Sequence, residues 1–417
     1  MSLGVPTIDL TRVDPFVQEE HHDQLAYLRA HDPVHWNPTS GGGGFWALTR
    51  YRDVAAAYND HGNLSSARGA MLGGSLRSEV DTASGRMLVA SDLPRHRLLR
   101  QTLHRAFAPA VMSRMRTQVG VLVDRAVNDM LAQGGCDFAA DIALELPRGA
   151  LMAIMDIDRE QAGHLIALTR RMIGYRDPHF GADPAESVDD QRLRLGAIQA
   201  EIFGFFLDLI EERRDSAGAD LIGMLLTAEV NGRPFSEEDM IYNCMNVAVG
   251  GNETSSYTAC SGMLELARNP RHLAILAGRP QLTDSAVDEM VRWASVNAYV
   301  QRVALRELEI GGKTIRAGDI VTLWNASANY DEDYFPDARV FDVTRSPNRH
   351  LAYGFGLHRC IGAAFAQVEL GVMLERLVAT GLRFEVAGPV RRLWSNFILG
   401  ITSLPITVSG EAVRTGA

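Results

Sequence analysis

The chain has 417 residues, of which 46% are hydrophobic and 22% are charged, as in a globular protein with a large core. Its formal net charge of -10 argues against nucleic acid as a partner, because binding phosphates requires a basic surface. No run of residues approaches the about 18 consecutive apolar residues of a membrane span, and the N-terminus lacks the features of a secretory signal. We therefore expect a cytoplasmic protein that does not bind membranes.

The coarse pattern along the chain predicts one domain over residues 1–417, mainly α with small antiparallel sheets (α+β). Strand-like segments occur at about 30–60, where Gly41–Gly44 precede the strand-like FWALT, and at about 298–325. Within the second region Gly311-Gly312 is a hairpin signal. Amphipathic helix dominates about 90–295 and 360–380, without the alternating βαβ order of a doubly wound fold.

One predicted helix is long enough to cross the whole domain. Ser236 can cap it, acidic residues follow in its first turn, and it ends near Asn269-Pro270, which gives a length of about 45 Å. Its middle contains Gly250 and Gly251, each of which costs about 1 kcal/mol relative to alanine. The pair indicates either close packing of helices or the approach of something flat or bulky to the backbone.

The segment 350–377 carries the strongest chemical signal. Cys360 is flanked by glycines and an apolar helix begins immediately after it, so free N–H groups and the helix dipole would favour thiolate. Thiolate binds metals, and as an axial ligand of haem iron it favours O–O cleavage. A catalytic nucleophile is the alternative, although no histidine–acid arrangement nearby supports it. The spacing of Cys136, Cys244 and Cys260 predicts reduced, buried residues rather than zinc ligands or disulfides.

Four motifs resemble those of the cytochrome P-450 superfamily, and they occur in the expected order. Residues 353–362, YGFGLHRCIG, resemble its haem-binding signature F-x-x-G-x-x-x-C-x-G. Residues 289–292, EMVR, resemble the E-x-x-R of its K helix, and residues 250–255, GGNETS, resemble the oxygen-activation motif of its I helix. Residues 92–100 resemble the D-x-P-x-H-x-x-x-R that leads into the C helix of bacterial members. The resemblance implies the P-450 fold, with haem between the long I helix and the L helix.

The resemblance also implies a haem b cofactor with Cys360 as the iron ligand. The propionates would be held by His96, Arg100, Arg302 and His358, and Gly250, Tyr353 and Gly362 would also adjoin the cofactor. In a helix His96 and Arg100 lie about 40° apart and share a face, although each alone could be a solvated surface residue. Tyr353 stands where the family usually has phenylalanine, and Gly250 stands where alanine is more frequent.

The resemblance also implies a catalytic pair of residues and a structural pair. Glu253 and Thr254 are the predicted catalytic residues, with Thr254 holding water near the distal oxygen and Glu253 relaying protons from solvent. The alternative is a threonine bonded to a carbonyl one turn earlier and an exposed glutamate. Glu289 and Arg292 can pair on one helix face, and the resemblance implies a buried, structural pair completed by Arg345.

The predicted substrate pocket follows from the resemblance as well. It draws on the loops at 62–90 and 173–190 and on residues of the long helix, the first strand after the K helix, and a C-terminal turn. These residues are Asn246, Val247, Asn297, Ala298, Tyr299, Val300, Phe397, Ile398 and Leu399. Their mixture of apolar and hydrogen-bonding groups favours a natural-product intermediate as substrate.

We therefore expect a monomeric haem-thiolate monooxygenase that activates O₂ to hydroxylate, epoxidise or couple a small molecule in secondary metabolism. No flavin or iron–sulfur motif follows Cys360, so electrons would come from an external ferredoxin and ferredoxin reductase. Arg97 and Arg105 could dock an acidic ferredoxin, or they could simply solubilise a helix face. The alternatives are a haem-thiolate peroxygenase or isomerase, and a non-catalytic haem sensor.

Overall fold

A computed structural model describes residues 8–40, 42–72, 83–183, 185–215, 218–230 and 232–409. Its helices, in chain order, are α1 (Asp14–Val17), α2 (His21–His31), α3 (Tyr51–Asn59), α4 (Arg95–His104), α5 (Pro109–Gln133), α6 (Phe138–Asp141), α7 (Glu145–Met155), α8 (Arg159–Ile173), α9 (Val188–Arg213), α10 (Leu221–Leu226), α11 (Glu237–Arg268), α12 (Arg271–Gly278), α13 (Thr283–Ala294), α14 (Asn325–Ala328) and α15 (Ala363–Ala379).

The strands are short by comparison and fall mostly at the two ends of the chain. They are β1 (Val34–Pro38), β2 (Gly44–Leu48), β3 (Leu64–Ser65), β4 (Gly135–Asp137), β5 (Glu229–Val230), β6 (Arg233–Pro234), β7 (Val300–Ala304), β8 (Leu308–Ile310), β9 (Lys313–Ile315), β10 (Ile320–Leu323), β11 (Arg383–Val386), β12 (Arg391–Arg392), β13 (Ile401–Ser403) and β14 (Pro405–Ser409).

The largest apolar core is built by helices, and α11 passes through it. It draws buried side chains from α5, α7, α8, α9, α11, α13 and α15. As the sequence predicts, the Ser236 side chain caps α11 by accepting a hydrogen bond from the Asp239 N–H at 3.1 Å, and the helix ends at Arg268 before Asn269. Its 32 residues make a rod of about 48 Å, so α11 spans the helical body.

The main sheet has the order β1-β2-β10-β7-β3 and packs beside the helical body. The hairpin of β8 and β9 turns at Gly311 and Gly312, whose positive φ angles of 56° and 75° agree with the sequence prediction. One pairing refines the expectation of antiparallel sheets, because β10 runs parallel to β2. Residues Tyr51–Asn59 also correct the β-rich description of about 30–60, since they form α3.

The fold class predicted from the sequence, helix-rich with small sheets, is confirmed. None of the helices in the described ranges combines the length and apolar character needed to span a membrane. The cysteines of those ranges form no disulfide; Cys244 and Cys260 are buried and Cys136 is half-buried. Cys360 differs from them, since its side chain is exposed to an internal cavity.

Candidate active site

A cavity of about 300 Å³, here called the central cavity, lies between α11 and the residues that lead into α15. Gly250, Gly251 and Thr254 line it from α11. Residues 352–354 and 358–362, with Phe365 of α15, line it from the other chain segment. The long helix and the cysteine loop, which the sequence predicts to flank one cofactor, therefore border one space.

Five cationic or potentially cationic side chains line the central cavity. They come from α4, β7 and the turn before Cys360, and they are His96, Arg100, Arg302, His358 and Arg359. The rings of His96 and His358 lie 4.1 Å apart between centroids. Arg302 is 6% exposed and donates to the Gln301 carbonyl oxygen at 2.7 Å, but no described carboxylate comes within 4.0 Å of it. A buried cation without a carboxylate partner is costly unless an anion binds beside it.

The two histidines are poor bases in this setting. Burial lowers the pKa of His96 to about 4, and Arg100 adds to the effect. Burial, followed by the charge of Arg302, lowers the pKa of His358 to about 2. Neither ring nitrogen of His96 has a hydrogen-bond partner among the described residues. Neutral imidazoles of this kind retain an N–H that can donate to an anionic ligand.

Cys360 lies in a tight loop, and its backbone N–H donates to the Tyr353 carbonyl oxygen at 2.8 Å. Gly354 and Gly356 have φ angles of 66° and 65°, a conformation that disfavours other residues. Burial raises the pKa of the thiol, while the N–H groups of Gly362 and Ala363 and the charge of Arg100 oppose that shift. The helix begins at Ala363 rather than directly after Cys360, so these loop N–H groups are the donors near the sulfur.

The paired glycines of α11 are not explained by close helix packing. A Cβ atom at Gly250 would meet only Asn246 Nδ2 at 4.0 Å, and one at Gly251 would meet nothing within 4 Å. Both residues line the central cavity, so their missing side chains leave the backbone open to that space. On the opposite segment, the buried hydroxyl of Tyr353 has no partner among the described residues.

Thr254 and Glu253 point to different surroundings. Thr254 lines the central cavity and its hydroxyl donates to the Gly250 carbonyl oxygen at 2.6 Å, the local bond that the alternative interpretation predicts. Glu253 is only 1% exposed and does not line that cavity, which corrects the exposed glutamate of the alternative interpretation. Successive helical residues lie about 100° apart, so the two side chains diverge.

A buried partner of Glu253 comes from α8. Arg170 Nε lies 3.8 Å from Glu253 Oε2, and the Arg170 guanidinium is 5.3 Å from the ring of Tyr257. Burial raises the pKa of Glu253 to about 7, although Arg170 and Tyr257 lower it in part. Glu253 is therefore a group that exchanges protons near neutral pH.

Glu289 is the centre of a buried network that joins α13 to the segment before the cysteine loop. Both it and Arg292 are fully buried, and Arg292 donates to its carboxylate at 2.7 and 2.8 Å. Arg345 Nε and Asn348 Nδ2 donate to Glu289 Oε2 at 3.1 and 3.0 Å. Arg292 also reaches the Asn329 carbonyl oxygen at 2.7 Å. None of these residues lines the central cavity.

The predicted substrate residues separate into two groups. Those that line the central cavity are Asn246, Val247, Asn297 and Val300. Those that do not line it are Ala298, Tyr299, Phe397, Ile398 and Leu399, whose predicted contact with substrate stays a prediction. Residues 73–82, within the predicted 62–90 loop, lie outside the described residues.

These five residues belong to small apolar clusters and take part in backbone pairing next to the lining residues. Tyr299 packs its ring 4.8 Å from Trp324 and 5.2 Å from Phe397. The Ala298 N–H donates to the Phe397 carbonyl oxygen at 2.9 Å, and the Leu399 N–H donates to the Val296 carbonyl oxygen at 2.7 Å. This pairing holds residues 397–399 against residues 296–298.

One acidic residue of the central cavity escaped the sequence reasoning. Glu369 of α15 lines it and is 3% exposed, and burial raises the pKa of its carboxyl to about 8 while Ser255 lowers it in part. A single glutamate in the apolar run AAFAQVELGVML (363–374) was the available signal. Arg170 had no such signal, because its approach to Glu253 depends on how α8 packs against α11.

Comparison with known proteins agrees with this arrangement. The family model described as Cytochrome P450 matches residues 184–277 and 279–398. The linalool 8-monooxygenase of Pseudomonas putida is 32% identical, over 96% of this chain and 98% of that protein. A methyl-branched lipid omega-hydroxylase of Mycobacterium tuberculosis is 33% identical, over 92% and 90%. The Mycobacterium marinum cytochrome P450 CYP268A2, solved with pseudoionone, is 28% identical and covers 98% of this chain and all of that one, with a TM-score of 0.87.

Proposed function

Because the chain belongs to the cytochrome P450 family and is a haem-iron monooxygenase, we propose that it oxidises a small, largely apolar molecule bearing a hydrogen-bonding group. The oxidation would be a hydroxylation, an epoxidation or an oxidative coupling. The observation that carries the proposal is the convergence of Cys360, the buried and unpaired Arg302 and the open backbone of α11 on one cavity.

The residues of the central cavity fit haem b. Cys360 supplies a sulfur for iron, and Arg100, Arg302, His96 and His358 supply donors for two propionates. Arg302 is the sharpest match, since it is buried and has no carboxylate partner among the described residues. Haem bound there would supply the chemistry of dioxygen activation. The N–H groups of Gly362 and Ala363 stabilise the sulfur as thiolate.

The distal residues would supply protons. The Thr254 hydroxyl donates to the Gly250 carbonyl oxygen, which leaves its own oxygen free to accept a hydrogen bond from water in the cavity. Glu253, with its pKa raised to about 7, would release a proton toward that water when its side chain turns from Arg170 toward the central cavity, and it would regain one near neutral pH. Arg170 holds the carboxylate in place when it is charged. Thr254 is thus proposed as the local hydrogen-bonding group and Glu253 as the proton donor.

The substrate class follows from the part of the central-cavity wall that lies outside the cysteine loop. Leu88, Val89, Val247, Val296 and Val300 make it largely apolar. Two amides interrupt it. Asn246 Oδ1 accepts from the Val89 N–H at 3.3 Å, and Asn297 Oδ1 is buried without a partner among the described residues. We propose a natural-product intermediate whose hydroxyl donates to Asn297, consistent with relatives that act on linalool and on a methyl-branched lipid.

The proposal for the metal ligand is tested by the carbon monoxide spectrum of the reduced, haem-loaded protein. The wild-type protein should show the band of thiolate-bound haem for which the family is named. Cys360→Ser should lose that band, because a serine hydroxyl does not replace thiolate as the axial ligand. Cys136→Ser, a half-buried cysteine that does not line the central cavity, is the control and should keep it. A thiolate band in Cys360→Ser would contradict the assignment.

A further inference from the structure

A second cavity, also of about 300 Å³, lies between the N-terminal helix α2, the C-terminal half of α11, the end of α13 and the turn at 392–401. It is polar. Three ion pairs border it, with N···O distances of 2.6 Å for Arg392–Glu19, 2.7 Å for Arg339–Asp23 and 2.8 Å for Arg268–Glu265. Each charge is matched, so these pairs leave no excess charge for an ionic ligand. The second cavity is instead suited to water.

A row of polar side chains connects the second cavity to Glu253. Glu253, Tyr257, Ser261 and Glu265 recur every four residues along α11, so successive members are neighbours on the helix surface. The last three line the second cavity, and the row spans about 18 Å. Glu265 is half-buried and its partner Arg268 is exposed, so this end of the row is close to solvent. We call these four residues the α11 polar row.

At the inner end of the α11 polar row, two buried atoms lack ordinary partners. Glu253 Oε2 and the Tyr257 hydroxyl make no hydrogen bond of regular geometry with the described residues, although they interact electrostatically with each other and with Arg170. Buried polar atoms of this kind normally bond to water. Tyr257 both lines the second cavity and adjoins Glu253, so it stands between the water-accessible space and the carboxylate.

We propose that the α11 polar row is the route by which protons from solvent reach Glu253, and that the Tyr257 hydroxyl donates them to its carboxylate. The inference rests on the proposed role of Glu253 as proton donor. Glu253 is 1% exposed and does not line the central cavity, so once it has released a proton it needs a separate supply. Its other polar neighbours, Arg170 and Asn252, cannot provide one, because neither a guanidinium nor a carboxamide gives up a proton in this pH range.

The transfer requires no charged tyrosine. The Tyr257 hydroxyl gives its proton to the Glu253 carboxylate and takes another from water that enters from the second cavity. A hydroxyl can donate and accept at once, so Tyr257 is neutral before and after the step. One proton enters from solvent near Glu265 for each proton that leaves Glu253 toward Thr254. Tyr257 is thus a positioning residue that acts through Glu253.

The test is hydrogen–deuterium exchange of the Glu253 carboxyl, followed by infrared spectroscopy on the haem-loaded protein. The carboxylic acid band is assigned by its loss in Glu253→Gln. Tyr257→Phe keeps the ring that packs on Gly400 and removes only the hydroxyl, so it should slow exchange at least about tenfold with an unchanged carbon monoxide spectrum. Ser261→Leu, which fills the second cavity and keeps the Tyr257 hydroxyl, should also slow exchange. The control is Tyr330→Phe, which lines the same cavity but whose hydroxyl donates to the Trp293 carbonyl oxygen at 2.6 Å.

Turnover separates failure of the route from failure of the relay itself. If Glu253→Gln couples electron consumption to product as the wild type does, the proposed role of Glu253 is wrong. If Glu253→Gln is uncoupled while Tyr257→Phe and Ser261→Leu exchange and couple normally, only the route is wrong. Slow exchange and a larger solvent isotope effect on turnover in both variants, with Tyr330→Phe normal, would support the α11 polar row.

Discussion

Asn297 is a single polar side chain whose chemistry bears directly on substrate choice. Its Oδ1 is buried and unpartnered among the described residues, while its backbone oxygen accepts from Asn325 Nδ2 at 3.3 Å. An unpaired buried acceptor costs free energy until a donor arrives, so a ligand hydroxyl gains more there than it would at a wet surface. The neighbouring wall residues Val296 and Val300 offer no competing donor from their side chains.

We expect Asn297→Leu to weaken binding of hydroxyl-bearing ligands by about 1–3 kcal/mol and to leave their deoxy analogues unaffected or bound more tightly. The measurement is the ligand-induced spin shift of the ferric haem, titrated with matched alcohol and deoxy compounds. Val247→Ala, which also changes the cavity wall, should alter both ligands alike. Equal losses for both ligands in Asn297→Leu would show that Asn297 does not recognise the hydroxyl.

The surroundings of the Glu253 side chain could not be predicted from the sequence. Glu253 and Thr254 are adjacent in the sequence, and a motif treats them as a unit, yet only Thr254 lines the central cavity. The direction of Glu253 is set by α8, which brings Arg170 from 83 positions away (253 minus 170). No local sequence pattern predicts the approach of Arg170 to Glu253, because that approach is fixed by how α8 packs against α11.

At the scale of elements, Glu289 ties α13 to the chain that leads into the cysteine loop. Its carboxylate accepts from Arg292, Arg345 and Asn348, and it also accepts from the Asp342 N–H at 2.9 Å. Breaking a buried pair of this kind leaves a charge without its partner, and the expected cost is about 3–5 kcal/mol.

We therefore expect Arg292→Met to lower the free energy of unfolding by about 3–5 kcal/mol and to reduce haem retention, since the segment after Asn329 loses its anchor. Urea unfolding of the haem-loaded protein measures the change. Arg192→Met is the matched control: its pair with Asp189 is exposed, at 76% and 85% for the two side chains, and should contribute less than about 1 kcal/mol. Similar losses in both variants would contradict a special role for the Glu289 network.

Elements with a strong local signal were predictable, and elements defined by distant partners were not. The cap at Ser236 and the turn at Gly311-Gly312 are local, and both are confirmed. The parallel pairing of β10 with β2 joins segments more than 270 residues apart, since Val321 lies opposite Trp46. The sequence pattern of each strand does not specify which residues of the other strand it pairs with. The position of residues 397–399 was not predictable for the same reason, since it depends on pairing with 296–298.

At the scale of the whole molecule, charge is distributed unevenly. The chain carries a net charge of -10, yet α4 alone has five Arg or His residues, at 95–97, 100 and 104. Arg105 follows directly after the helix. Arg97 and Arg105 are exposed, and neither forms an ion pair with the described residues. His96 and Arg100 of the same helix line the central cavity. Electrons delivered at this surface would therefore enter close to the cofactor.

We propose that Arg97 and Arg105 bind an acidic ferredoxin, which is reduced by its own reductase. Two exposed cations steer an acidic partner through long-range attraction, so Arg97→Glu/Arg105→Glu should slow reduction of the haem by about tenfold or more at low salt. The difference from wild type should shrink as ionic strength rises, because salt screens charges at the surface. Stopped-flow reduction by the ferredoxin, set against reduction by dithionite, separates docking from the intrinsic chemistry of the haem. Arg306→Glu/Arg316→Glu, which replaces two exposed arginines on either side of the β8–β9 hairpin, changes the net charge by the same amount and is the control. A rate that falls equally in this control, or that is insensitive to salt, would assign the basic surface to solubility instead.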